Sequence, residues 1–258
     1  MRLSPLLVPL LLGACATTPV APMAPAAAPT SLVVSTLGED ASGLADAADR
    51  LCGYLAPAPR RALGFELALR ARTQAPRDKA TALTAARCAY FRADWEPNPK
   101  QMAAFARAGM DAAKAAGAKD GDPRAAYYYA LNLGLTMRDA GLEALSLIPE
   151  EIAALETARK DAGQDLGGPL RVLGMLYLKA PAWPAGPGDL DLALELLEEA
   201  TTRFPSHPLN RVFYADALKE EKETKAVSAQ LDAALLLASP ELWGDYAERW
   251  RAEAAALR

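Results

Sequence analysis

Three cysteines and a single histidine are all the thiol and imidazole chemistry available to this 258-residue chain. Scattered as Cys15, Cys52, Cys88 and His207, they do not form the short, paired spacings of a zinc or iron–sulfur ligand set, so neither a metal nor a cofactor is expected. His207 lies in Phe204-Pro205-Ser206-His207-Pro208, a turn between helices. No nucleophile or carboxylate stands at the spacing that general-base catalysis or a triad needs, and the ring is expected to face solvent. Glu195, Glu198 and Glu199, like Glu220, Glu221 and Glu223, have the spacing of solvated helix faces and helix ends. The sequence contains no glycine-rich phosphate loop, His-Glu-x-x-His helix, Cys-x-x-Cys pair or nucleophile elbow. The expectation is a protein that is not an enzyme.

What remains is the chemistry of binding. Tyr127, Tyr128 and Tyr129 are consecutive, and successive positions on a helix differ by about 100°. All three cannot face one core, so at least one lines a groove or reaches solvent. With Tyr177 they are candidates to line a groove for a ligand or partner, core packing being the alternative. Pro181, Pro184 and Pro187 recur at the period of a polyproline II turn, beside Trp183. That loop would form a rim or partner contact, or simply a stiff connection.

Cys15 has a setting of its own. Arg2 precedes an apolar run from Leu3 to Leu12 that is too short to span a bilayer permanently. The run ends in Leu12-Gly13-Ala14-Cys15, which resembles the bacterial lipobox, in which the cysteine is acylated and becomes the new N-terminus. Residues 1–14 therefore read as a signal peptide, an ordinary secretory signal cut nearby being the alternative. Cys15 reads as the lipid attachment, residues 15–38 as an uncharged Thr-, Pro- and Ala-rich tether, and 39–258 as the folded domain. The expected location is the periplasm-facing side of the cell envelope, on the outer membrane since Ala16 is not the aspartate that holds such proteins inside. In that oxidising compartment Cys52 and Cys88 would form a disulfide or remain two buried thiols. A net charge of −4 gives no footprint for nucleic acid.

The elements that must position these residues are helices. Ala and Leu dominate and β-branched residues are few, which predicts an all-α fold. Apolar periodicity and Pro, Gly and Asp punctuation predict ten or eleven helices from Asp40 onward, the last from Glu241 to Leu257. Within 170–240 the pattern is that of the tetratricopeptide repeat: Gly174 and Tyr177 on one helix, Ala193, Leu197 and Ala200 on the next, then Pro205. Ala215, Ala234 and Pro240 answer them in a second copy. Gly174 and Ala215 are 41 residues apart, about 34 once an apparent insertion of about 7 is removed. Stacked hairpins in a degenerate α-solenoid with a C-terminal capping helix are expected.

The lipobox, the Tyr-Tyr-Tyr-Ala-Leu-Asn-Leu-Gly run at 127–134, and Leu173-Gly174-Met175-Leu176-Tyr177 followed by a Pro-rich insertion together resemble one family. It is the T component associated with tripartite ATP-independent periplasmic (TRAP) transporters. The resemblance covers roughly residues 80–258. It implies a helical body with a central apolar pore or pocket for a hydrophobic small molecule, association with a periplasmic solute-binding protein, and assembly into a homo-trimer. Its insertion, Ala180 to Asp189, departs in sequence, so that loop's shape is expected to differ. An interaction scaffold in envelope assembly is the alternative function, since repeats of this kind serve many roles.

Overall fold

The computed structural model describes residues 40–138 and 141–258. The stretches expected to be a signal peptide and a tether, with Cys15, lie outside the described residues.

Twelve α-helices follow one another, with no strand among the described residues: α1 (Ala41–Leu51), α2 (Ala58–Gln74), α3 (Lys79–Ala93), α4 (Pro99–Ala116), α5 (Pro123–Met137), α6 (Ile148–Ala158), α7 (Gly168–Lys179), α8 (Leu190–Arg203), α9 (Pro208–Glu220), α10 (Thr224–Leu237), α11 (Pro240–Trp243) and α12 (Asp245–Ala256). Their starts are written locally. Asp40, Asp78, Asn98, Asp122 and Asp189 each cap a helix by accepting from a backbone N–H in its first turn. Consecutive helices from α1 to α10 pack on one another, α12 packs on α9 and α10, and α3 also packs on α5, the first helix of one hairpin beside the first of the next. This is the stacked-hairpin, solenoid-like arrangement expected of the repeat.

Gly174 shows why the repeat demands small residues. A Cβ there would lie 2.6 Å from Leu197 Cγ and 3.3 Å from the carbonyl oxygen of Ala193, so α7 and α8 can approach this closely only with hydrogen at that position. Cys52, at the end of α1, and Cys88, in α3, are joined by a disulfide with a Cα separation of 5.1 Å.

The C-terminal end does more than cover the stack. The expected last helix is broken at Gly244, whose φ of 55° is one that side-chain-bearing residues rarely adopt, giving a short α11 and then α12. From these two elements Trp243, Tyr246 and Trp250 enter the same core as α1, α2 and α3. Asp94, at the end of α3, accepts from the Tyr246 hydroxyl at 3.0 Å and from both terminal nitrogens of Arg249 at 2.9 Å. Burial alone would raise the Asp94 pKa, but Arg249 holds it below the usual range. Buried Arg61 of α2 stacks on Trp95 and Tyr246, completing the closure of the two ends.

One buried acid, Glu151, has no ion-pair partner among the described residues. Glu151 of α6 is 4% exposed, and its Oε1 lies 2.8 Å from where a Cβ on Gly134 of α5 would stand. The carboxyl occupies the hole left by the glycine, and burial pushes its pKa up to about 8. A raised carboxyl pKa favours the fold while the group is neutral. That contribution is complete below the ordinary pKa near 4.5 and is lost as pH rises toward 8. Glu151→Gln is therefore expected to match wild type at pH 4.5 and to gain stability relative to it by up to about 1.4 kcal/mol per pH unit above that. Denaturant unfolding of both proteins at pH 5 and pH 8 measures this; a difference that does not change with pH would refute it.

Candidate functional site

The polar centre of the molecule is a turn. Between α6 and α7, Asp165 and Leu166 both have φ of 50° and Gly167 has φ of 90°, three left-handed residues in succession. For the two that are not glycine such backbone costs on the order of 1 kcal/mol or more each, so the surroundings must impose it. The Asp165 carboxylate accepts from the Tyr54 hydroxyl at 2.7 Å, the Tyr127 hydroxyl at 2.8 Å and Arg171 Nη2 at 2.6 Å. Buried Arg171 also donates to Asn210 Oδ1 at 2.7 Å, and Asn210 donates to the Leu166 carbonyl at 3.0 Å. Tyr127 reaches the turn because Gly168 has no side chain: a Cβ there would sit 2.1 Å from the Tyr127 oxygen. Burial first, and then the Asp165 charge, push the Tyr54 and Tyr127 phenols far above their ordinary pKa, so both remain donors.

Rings pack around Tyr54. Phe91, Trp243, Tyr246 and Trp250 lie with centroids 4.9–5.3 Å from it, edge to face. His207 belongs to this cluster, 4.6 Å from Trp243 and 5.0 Å from Trp250. The expectation that it faces solvent is incorrect: it is wholly buried. Its Nδ1 accepts from the Leu209 N–H at 3.2 Å to cap α9, so the proton sits on Nε2, which stands 4.0 Å from Asp165 Oδ1 and has no hydrogen-bond partner among the described residues. Burial, reinforced by Arg171, lowers its pKa far enough to keep the ring neutral at physiological pH, which is what allows it to be covered by tryptophans. No local signal in its turn announces that covering, because both tryptophans come from the C-terminal helices.

Beside this hub opens a cleft of about 420 Å³, with α1, α3 and α5 as walls and the 164–166 turn as one edge. Two helical faces line it. On α3 these are Arg87, Tyr90 and Phe91; on α5 they are Arg124, Tyr127 and Tyr128. Each set has the i, i+3, i+4 spacing that puts three side chains on one side of a helix. Arg-Cys-Ala-Tyr-Phe at 87–91 and Arg-Ala-Ala-Tyr-Tyr at 124–128 are one unit repeated after 37 residues, near the repeat period. That duplication is visible in the sequence, yet only the packing of α3 on α5 makes it a site.

The charges of the cleft are unequally engaged. Arg87 pairs with Asp49 of α1, and Asp165 is bound by Arg171 and two phenols. Arg124 is exposed in the first turn of α5 and has no ion-pair partner among the described residues. Burial pushes the Tyr128 phenol up to about 12 against the opposing field of Arg87, and burial followed by Asp94 raises Tyr90. Neither hydroxyl has a hydrogen-bond partner among the described residues. The groups free to meet a ligand are thus one guanidinium and two phenol donors set among aromatic faces.

The five aromatic candidates are dispersed. Tyr127 and Tyr128 line the cleft. Tyr129 points elsewhere, donating to Glu150 Oε1 at 2.6 Å with Lys119 4.2 Å above its ring. Tyr177 packs against the core formed by α5 to α8. Trp183 stands 86% exposed in its loop. Tyr54, Tyr90, Arg124 and Asp165 carry the site without having been singled out by sequence. A second cleft, of about 400 Å³ between α9, α10 and the C-terminal residues, is lined by Lys219, Asp232 and Arg258, and there Arg258 pairs with Asp232 and Lys219 with the Leu257 carbonyl. Set against known proteins, the chain matches no protein-family model and no curated protein.

Proposed function

We propose that this chain is a non-catalytic, lipid-anchored helical-repeat protein facing the periplasm, whose cleft docks a segment of another envelope protein. The observation that carries the reading is the Arg-x-x-Tyr-aromatic unit displayed twice, from adjacent hairpins, on one open cleft. Helical repeats recognise partners through such aligned first helices, each repeat adding one set of side chains to a continuous surface. A periplasmic solute-binding protein of a TRAP-type system is the particular partner that the T-component resemblance implies, and an assembly factor of the envelope is the alternative. A hydrophobic solute is less well served. It needs an enclosed apolar pocket, whereas the cleft is rimmed by charge and the rings around Tyr54 pack against one another.

The test is site-specific photo-crosslinking in cells that express the full chain. A benzophenone side chain replacing Tyr128 is expected to give a discrete adduct with an envelope protein, and one at exposed Glu248 none. Equal adducts from both positions, or none from Tyr128, would overturn the assignment of the cleft.

A further inference from the structure

The cleft's unused groups define what its occupant must carry. Arg87, Arg124 and Arg171 bring three positive charges to the cleft and the turn at its edge, against the two negative charges of Asp49 and Asp165. The excess cation is Arg124, on a chain whose net charge is −4. Its position adds nothing to the helix that bears it, because the first turn of a helix is where the backbone dipole disfavours a cation. Arg124 and Tyr128 are four residues apart on α5, so guanidinium and phenol lie side by side. Tyr90 presents a second hydroxyl from α3 across the cleft. An acceptor of negative charge answers all three donors, and a carboxylate matches the planar fork of arginine. The half-buried rings of Tyr54, Tyr90 and Tyr128 offer surface beside it for an apolar neighbour.

Building on the docking reading above, we propose that the docked segment is an acidic peptide, in which a carboxylate pairs with Arg124 and accepts from the hydroxyls of Tyr90 and Tyr128 while an adjacent apolar side chain rests on the rings. Successive side chains of an extended peptide point to opposite sides, so an acidic residue and its aromatic neighbour can reach opposite walls of the cleft.

The probe is a dye-labelled octapeptide carrying Asp-Phe-Asp between Gly-Ser flanks, compared with its Asn-Phe-Asn counterpart by fluorescence anisotropy on the full chain. The aspartate peptide is expected to bind at least about fivefold more tightly at low salt, with the ratio shrinking as ionic strength rises. Arg124→Gln should bring the ratio below about twofold, and Tyr128→Phe should weaken only the aspartate peptide, by about threefold. Arg124 is exposed and Tyr128→Phe keeps the packed ring, so the circular dichroism of both variants should be that of wild type. A ratio near one, or a ratio unchanged in Arg124→Gln, would overturn the acidic ligand. If the Tyr128 adduct persists in that case, partner docking survives it. Binding of free phenylacetate with no binding of either peptide would overturn the peptide itself.

Discussion

Asp165→Ala is expected to lower stability by about 3–5 kcal/mol, the cost of leaving a buried guanidinium without its anion. Arg171 is 2% exposed, and its remaining side-chain acceptor, Asn210 Oδ1, carries no charge. The same substitution removes the acceptor for the Tyr54 and Tyr127 hydroxyls and leaves a left-handed backbone at residue 165 without the contacts that hold it. For a domain of this size the melting temperature should fall by roughly 10 °C, read from ellipticity at 222 nm. Asp165→Asn tolerates the same backbone and retains an acceptor, so its loss should be smaller and should come from charge alone. Adding Arg171→Met to Asp165→Asn should then restore part of the stability, because the uncompensated charge has gone. Melting of Asp165→Ala within about 2 °C of wild type would show that the turn is not held by its carboxylate.

Reduction of the Cys52–Cys88 disulfide carries the second large effect. The bond closes a loop of 36 residues, for which the chain-entropy estimate is about 4 kcal/mol, measured values commonly falling at 2–4 kcal/mol. Its consequence is also local. α1 packs on α2 and α3 and stands at the end of the stack, so the disulfide secures a helix with few other neighbours. That helix carries Asp49, the partner of Arg87, and leads into Tyr54 at the centre of the aromatic cluster. The Cys52→Ala/Cys88→Ala variant should unfold at lower denaturant than wild type and shift the fluorescence of Trp243 and Trp250. An unchanged midpoint would mean that the reduced chain is already held as tightly by packing.

Much of the scaffold could be read from residue spacing because it depends on contacts close in sequence. Gly174, Ala193 and Leu197 predict a tight hairpin, and the structure places Leu197 against the hydrogen of Gly174. Ala126, Ala130 and Gly134 stand four residues apart on α5, a spacing of small residues that lets a neighbour approach closely, but nothing in it names Glu151 as the side chain that fills the last hole. Trp243 and Trp250 pack from the C-terminal helices, and their partners, Tyr54 and His207, lie far away in the chain. His207 departs from its expected exposure for the same reason: a histidine between two prolines looks like an open turn until another part of the chain covers it.

The chain's order of amino acids, taken alone, determined that it folds as paired helices, where most of them begin, and that Arg-x-x-Tyr-aromatic occurs twice at the repeat interval. Those features follow from the 3.6-residue period and from capping, which act within a few residues. Only the tertiary structure decided that Tyr54 meets Asp165 across 111 residues, that the C-terminal tryptophans fold back over His207, and that Arg124 has no ion-pair partner among the described residues. Such meetings depend on how small rotations between successive hairpins accumulate, and on a left-handed turn that no local preference would choose.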